Sequence, residues 1–158
     1  MKLLTISILF NLLISLNAFA TSTDSLQFIN AHIPEAPPNA SVMAGYMEIH
    51  NPTDKNIDII AIDSSSFNSI EMHQSKEIDG FAKMLPQKKL SIPAKGKLIL
   101  TAGSYHLMLI KPVKWFNHGE QITLNFSLSN SSKISINIGV KKSASPSMKC
   151  ATGKCGSM

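Results

Sequence analysis

Apolar and polar residues alternate along most of the chain, in short runs rich in β-branched side chains. A period of two marks strands that bury one face. Such runs cover residues 26–33, 42–50, 57–63, 67–73, 81–85, 89–92, 97–101, 105–110, 121–128 and 133–140. Turn-forming residues separate them: Pro34, Pro37 and Pro38, then Asn51-Pro52, the serines at 64–66, Asp79-Gly80, and residues 93–96. The runs at 89–92 and 97–101, joined by that last turn, read as a hairpin. Roughly nine or ten short strands predict an all-β fold, an antiparallel sandwich or Greek-key barrel with little helix.

Residues 1–20 stand apart from this pattern. Lys2 is followed by an apolar run from 3 to 16 and by the small-x-small site Ala18-Phe19-Ala20. That is the form of a secretory signal peptide, with cleavage expected after Ala20. Asn11, Ser15 and Asn17 interrupt a run already short for a membrane span. No cysteine stands at the cleavage point to carry a lipid. The expected organisation is a leader over 1–20, one β domain over 21–142 and a small, polar tail over 143–158. The mature chain is expected to be exported.

Charge narrows the field of partners. The chain has 158 residues, enough for one real core, and a formal net charge of +5. Every basic residue is lysine, so the guanidinium fork that reads guanine or clamps phosphate is missing. Aromatic residues are few and are not interleaved with lysine clusters, so nucleic acid is not an expected partner. Neither a Ser-His-Asp arrangement, a paired-acid signature nor a phosphate loop is visible, and no catalysis is expected.

The chemistry lies between residues 71 and 108. His73, Met84, His106 and Met108 form the pattern His-x10-Met-x21-His-x-Met, two imidazoles and two thioethers. Methionine ordinarily fills gaps in a core, and a strand histidine is ordinarily just a satisfied polar residue. The combination points elsewhere. Imidazole serves many metals, whereas a neutral thioether selects monovalent copper over hard cations. His106 and Met108 are two apart and share one strand face, while Met72 faces away from His73 and should pack inside. With His73 read at a strand end and Met84 on the returning strand, the four form a two-hairpin constellation. The remaining histidines, His32, His50 and His118, read as solvated loop residues, and Trp115 as a core or rim aromatic.

This spacing resembles that of the periplasmic copper(I)-chaperone family known as PCuAC. Gly45-Tyr46-Met47, the 92–96 turn Ile-Pro-Ala-Lys-Gly and Gly103-Ser104-Tyr105 before His106 are similar to family landmarks. The resemblance covers roughly residues 25 to 141. Family members often have a methionine directly after the first histidine; here Gln74 follows and Met72 precedes. The resemblance implies a cupredoxin-like β-sandwich that binds Cu(I) through His73, Met84, His106 and Met108. It also implies a copper-accepting partner, such as a cytochrome oxidase subunit awaiting its CuA centre or another copper chaperone. The carrier is expected to be monomeric.

The tail holds both cysteines, Cys150 and Cys155, flanked by Met148 and Met158. Two readings stand: a disulfide, as an even pair in an oxidising compartment suggests, or an accessory soft-metal site. Rival functions stand beside the carrier. An electron-transfer cupredoxin needs a cysteine ligand, and none lies between residues 21 and 149. A thiol oxidoreductase ordinarily uses Cys-x-x-Cys at a helix start. An exported interaction module would carry the His and Met residues incidentally. Protons compete with the metal for His73 and His106 and not for the thioethers. Cu(I) affinity is therefore expected to fall below about pH 6, and a competition titration flat from neutral pH to pH 5 would count against metal binding by the imidazoles.

Overall fold

The computed structural model describes residues 25–143. The leader, and Met148, Cys150, Cys155 and Met158 of the tail, lie outside the described residues. Ten strands make up the fold: β1 (Gln27–Pro34), β2 (Val42–His50), β3 (Ile57–Asp63), β4 (Phe67–Ile78) and β5 (Phe81–Gln87), then β6 (Leu90–Ile92), β7 (Lys97–Leu100), β8 (Tyr105–Pro112), β9 (Gln121–Leu128) and β10 (Lys133–Lys141). No helix occurs among the described residues, and so none is long and apolar enough to cross a membrane.

The strands are ordered β5-β4-β8-β7-β2-β1-β10-β9-β3-β6, with β2 also pairing with β8 beyond the short β7. Most pairings are antiparallel; β1 with β10 and β7 with β8 run parallel. The sheet folds over so that the alternating apolar faces of its two halves meet in one core. Met43, Met47, Met72, Leu107 and Leu109 come from one half, and Ile59, Ile122, Leu124, Phe126 and Ile138 from the other. Phe28 reaches across to Phe126, with ring centroids 4.6 Å apart. Burial alternates strictly along β2, so Met43, Gly45, Met47 and Ile49 face inward and Val42, Ala44 and Tyr46 outward.

Two expectations from the sequence need correction. The 89–92 and 97–101 runs do not form a hairpin: β6 pairs with β3, while β7 pairs with β2 and β8. The turn between them instead passes from one half of the sheet to the other, because the 51–56 loop takes its hydrogen bonds. The buried Asn51 side chain donates to the carbonyls of Ile92 and Pro93, both at 3.1 Å. Lys95 N donates to Thr53 O, and Ala94 N to Asn56 Oδ1. Secondly, β4 does not end at His73. It runs on to Ile78 and returns through a tight two-residue turn, with positive φ at both Asp79 (54°) and Gly80 (77°). That is the turn whose twist suits a hairpin. Pro86 is tolerated inside β5 because β5 lies at the end of the strand order, where no further neighbour needs its missing N–H.

Exposed ion pairs clip the periphery. Lys89 binds Asp58 at 2.7 Å and holds its carboxyl below the ordinary range; Lys114 does the same for Glu120. A lowered carboxyl favours folding above the ordinary carboxylate range, and that contribution is lost as pH falls through the lowered value.

β2 and β8 lie side by side in the sheet, and Gly45 there leaves room for the Leu107 side chain. Gly45 pairs with Leu107, and a Cβ on Gly45 would meet the Leu107 Cβ at 3.3 Å. Leu107 lies between His106 and Met108 and anchors that strand in the core. Gly45→Val should overpack this contact and destabilise the fold by about 1–3 kcal/mol. Urea unfolding checks this; an unchanged midpoint would show that β2 and β8 can separate freely.

Candidate metal centre

Strand pairing brings three of the chemical segments side by side as β5, β4 and β8. His73 pairs directly with His106, Glu71 with Met108, and Ser75 with Met84. Paired residues share a sheet face, so His73, Met84, His106 and Met108 all stand on the outer face, opposite Met72, Leu107 and Leu109. Met72 is 7% exposed and packs in the core, where its parity places it. The frame differs from two hairpins: β4 and β5 are one, and β8 is a separate strand zipped along the other edge of β4. His73 is mid-strand rather than terminal.

The two imidazoles are held at 5.9 Å between ring centroids. Each is fixed by a residue two positions earlier on its own strand. His73 Nε2 lies 2.8 Å from Glu71 Oε2, and His106 Nδ1 lies 3.1 Å from Ser104 O. Carboxylates and carbonyls only accept hydrogen bonds, so the proton in each case sits on the ring nitrogen that makes the contact. The lone pair is then on Nδ1 of His73 and on Nε2 of His106. His73 Nδ1 is buried and has no hydrogen-bond partner among the described residues. A buried unpaired nitrogen costs about 1–3 kcal/mol, and such a cost is retained where the atom has another use.

The donor set fits a soft ion. Two imidazoles bound to one ion at about 2 Å per nitrogen hold their centroids roughly 5–6 Å apart, which the observed separation matches. Among the described residues no group of three or more His, Cys, Asp or Glu is gathered as for a harder metal. Met108, half-buried, and Met84, 63% exposed, line a shallow pocket with His106, Ser75, Ala44 and Gly103. His73 is not among the residues that line it, and the two imidazoles are about equally buried, at 8% exposure for His73 and 6% for His106. Two buried imidazoles thus stand beside one half-buried and one open thioether.

Sequence reasoning passes over Glu71 and Ser104. The signal is present in the same period of two that links His106 to Met108, since residue i−2 on a strand is a same-face neighbour. The other histidines are placed differently from expectation in two cases. His32 and His50 are on strands, not loops: His32 Nδ1 contacts Asn30 O and its ring lies 5.8 Å from Tyr46, and His50 contacts Glu48. His118 does lie in a loop, against Val140 O and Lys142 N. Trp115 is a rim residue, half-exposed, donating to Ala36 O.

A β fold of this shape is the architecture of solved PCuAC domains. The copper-bound PCuAC domain from PmoF2 superposes with a TM-score of 0.63 at 15% identity, covering 75% of this chain and 93% of that one. The apo PCuAC domain from PmoF1 gives 0.64 at 16% identity, with coverages of 75% and 94%. The Cu(I) form of DR1885 from Deinococcus radiodurans gives 0.60 at 22% identity, with coverages of 80% and 87%. At these identities the likeness establishes the fold. No curated protein sequence matches the chain. The profile of the LpqE-like lipoprotein family matches residues 26–140, and the chain belongs to that family.

The buried nitrogen gives a test independent of any metal. His73→Leu removes an unpaired polar atom and leaves Glu71, half-exposed, free to hydrate. The apo variant should be as stable as the wild type or more stable, by about 1 kcal/mol, in chemical denaturation. A loss of more than about 2 kcal/mol would mean that the ring is held for folding rather than for a ligand.

Proposed function

We propose that the protein is an exported Cu(I) carrier that holds one cuprous ion between His73, Met84, His106 and Met108 and passes it to a copper-accepting protein. The observation that carries this is the unpaired, buried Nδ1 of His73, on the same sheet face as a second oriented imidazole and two thioethers. Membership of the LpqE-like family and the copper named for the PmoF2 and DR1885 structures support it. The domain is residues 21–142, the leader directs it to the periplasm, and the recipient is the CuA centre of a cytochrome oxidase or another copper protein of that compartment.

The geometry suits carriage without turnover. Cu(I) accepts trigonal or tetrahedral coordination, which two nitrogens and two thioethers provide without net charge on the protein side. Thiolates would hold it harder. Exposure divides the ligands: Met84 is outermost and Met108 half-buried, while both imidazoles are nearly sealed. Copper arriving from solvent meets Met84 first. On delivery an acceptor displaces Met84 first and the two buried imidazoles last, so the ion is never released bare. Glu71 and Ser104 keep the ring lone pairs directed at the ion throughout, as hydrogen-bond partners of metal-bound histidines do.

Anaerobic competition against a Cu(I) chelator should show this site taking one ion. His73→Ala and His106→Ala should each weaken it by about 10²-fold or more, with Met84→Ala smaller because its sulfur is the most exposed. Four alanine variants that bind as the wild type does would end this reading and leave an interaction module.

A further inference from the structure

Met84 stands on a strand with only one neighbour. β5 closes the strand order, and among the described residues nothing pairs with its outer edge. The hairpin turn settles which of its backbone groups are free. Ile78 and Phe81 flank the two-residue turn at Asp79 and Gly80 and, as the pair closing such a turn, exchange backbone hydrogen bonds. These bonds alternate along an antiparallel pair, so Lys83 and Leu85 face β4 while Ala82 and Met84 turn their N–H and C=O outward. Ser75, the partner of Met84, agrees, since its N–H leaves β5 and donates to Ser104 O at 3.0 Å. Pro86 comes next in the outward set and has no N–H to offer, which limits the open edge to residues 81–85. The same Met84 that sends its thioether to the site face thus presents its backbone to an incoming strand. A charge stands beside it. Lys76 and Lys83 are opposite each other in the β4–β5 register, both exposed, on the face turned away from the imidazoles. Like charges directly opposite cost stability, and neither lysine has an ion-pair partner among the described residues. Glu77 alternates to the other face, and Asp79 sits in the turn. Edge lysines also deter indiscriminate pairing. A second copy would bring the same two cations to this edge, on a chain of net charge +5, so the strand that fits is an acidic one.

We propose that β5 takes up an extended, acidic segment of the copper-accepting protein as an added strand, and that a methionine of this segment, opposite Met84, receives the ion. The proposal rests on the Cu(I) carrier reading and deepens it by giving the form of the partner. Main-chain pairing supplies the hold, and the alternate side chains supply the selection. Parity writes the segment. Antiparallel to β5, a methionine opposite Met84 is followed by an acid opposite Lys83, then by any residue opposite Ala82. An apolar residue comes next, opposite Phe81, which is 72% exposed. Hydrogen-bonded partners share a sheet face with their Cα atoms about 5.5 Å apart, so the incoming thioether stands beside the Met84 sulfur on the site face. The copper bond to Met84 breaks as the bond to the partner's sulfur forms. One neutral thioether replaces another, so no proton or electron moves and the ion stays cuprous.

The full-length protein, without copper and with one equivalent of Cu(I), tests this in an anaerobic titration with the peptide Thr-Val-Met-Glu-Thr-Phe-Thr. At millimolar peptide, amide exchange followed by NMR should slow at Ala82 and Met84 and stay unchanged at Lys83 and Leu85, which already bond to β4. Lys83→Glu should weaken this peptide about fivefold and favour one with lysine in place of glutamate. Ala82→Pro removes an outward N–H and no bond to β4. It should abolish the protection at Met84 and leave chelator competition for Cu(I) unchanged. The loaded protein should bind the peptide about tenfold more tightly than the apo protein. A peptide with norleucine for methionine, the same shape without sulfur, should lose that preference. Protection that is absent or uniform along 81–85, or peptide binding untouched by Ala82→Pro, would overturn the proposal and leave the four-ligand carrier intact. So would a preference for the loaded protein that norleucine preserves. If chelator competition shows no Cu(I) held at His73 and His106, the carrier reading falls, and this proposal with it.

Discussion

The antiparallel register between β4 and β8 is the constraint on which the site depends. It sets His73 against His106 and Glu71 against Met108. Side chains alternate across a sheet, so a slip of one residue between the two strands would put the imidazoles on opposite faces and turn either Met72 or Leu107 out of the core. Nothing at the candidate site itself enforces the register. The enforcement comes from the opposite face, where Met72, Leu107 and Leu109 are nearly sealed from water. Burying such side chains is worth about 1.5–3 kcal/mol each, and exposing them together would cost a large share of the net stability of a domain. The functional geometry is therefore carried by apolar residues that touch no ligand.

That division explains how the fold tolerates an unfavourable atom. His73 Nδ1 is deprived of water and of a partner, which works against folding. Its neighbour Nε2 is held by Glu71, and the strand beneath is zipped on both edges, to β5 and to β8. A soft ion would relieve the orphaned nitrogen, and the rigid sheet means that little reorganisation is needed to do so. In the proposed carrier, capture and release fall to the side chains with the most freedom, Met84 on the edge strand above all.

Sequence and structure part company at the connections. Both runs flanking residues 93–96 are strands, and the turn lies where expected, but pairing across a turn is only one of the ways to satisfy a backbone. Asn51, more than 40 residues away in sequence, takes the carbonyls of Ile92 and Pro93, and no local pattern announces that. The extent of β4 is hidden for a related reason. Residues 74–78 are mostly polar, and it is chiefly pairing with β5 on the open edge that makes them strand. The turn residues beside His32 and His50 suggest loops, although each histidine belongs to the alternating run that precedes the turn.

What the chain's residues settled alone was type and parity. Short alternating runs made the fold all-β, two imidazoles with two thioethers marked a soft-metal set, and the spacing of two put His106 and Met108 on one face and Met72 on the other. These are local properties, fixed by the pleat of a strand and the electronic character of a side chain. Only the tertiary structure decided which strands became neighbours. It paired His73 with His106 and left Met84 open and Nδ1 closed. The pleat repeats every two residues and says nothing of the partner strand, which is selected by the burial of one shared core.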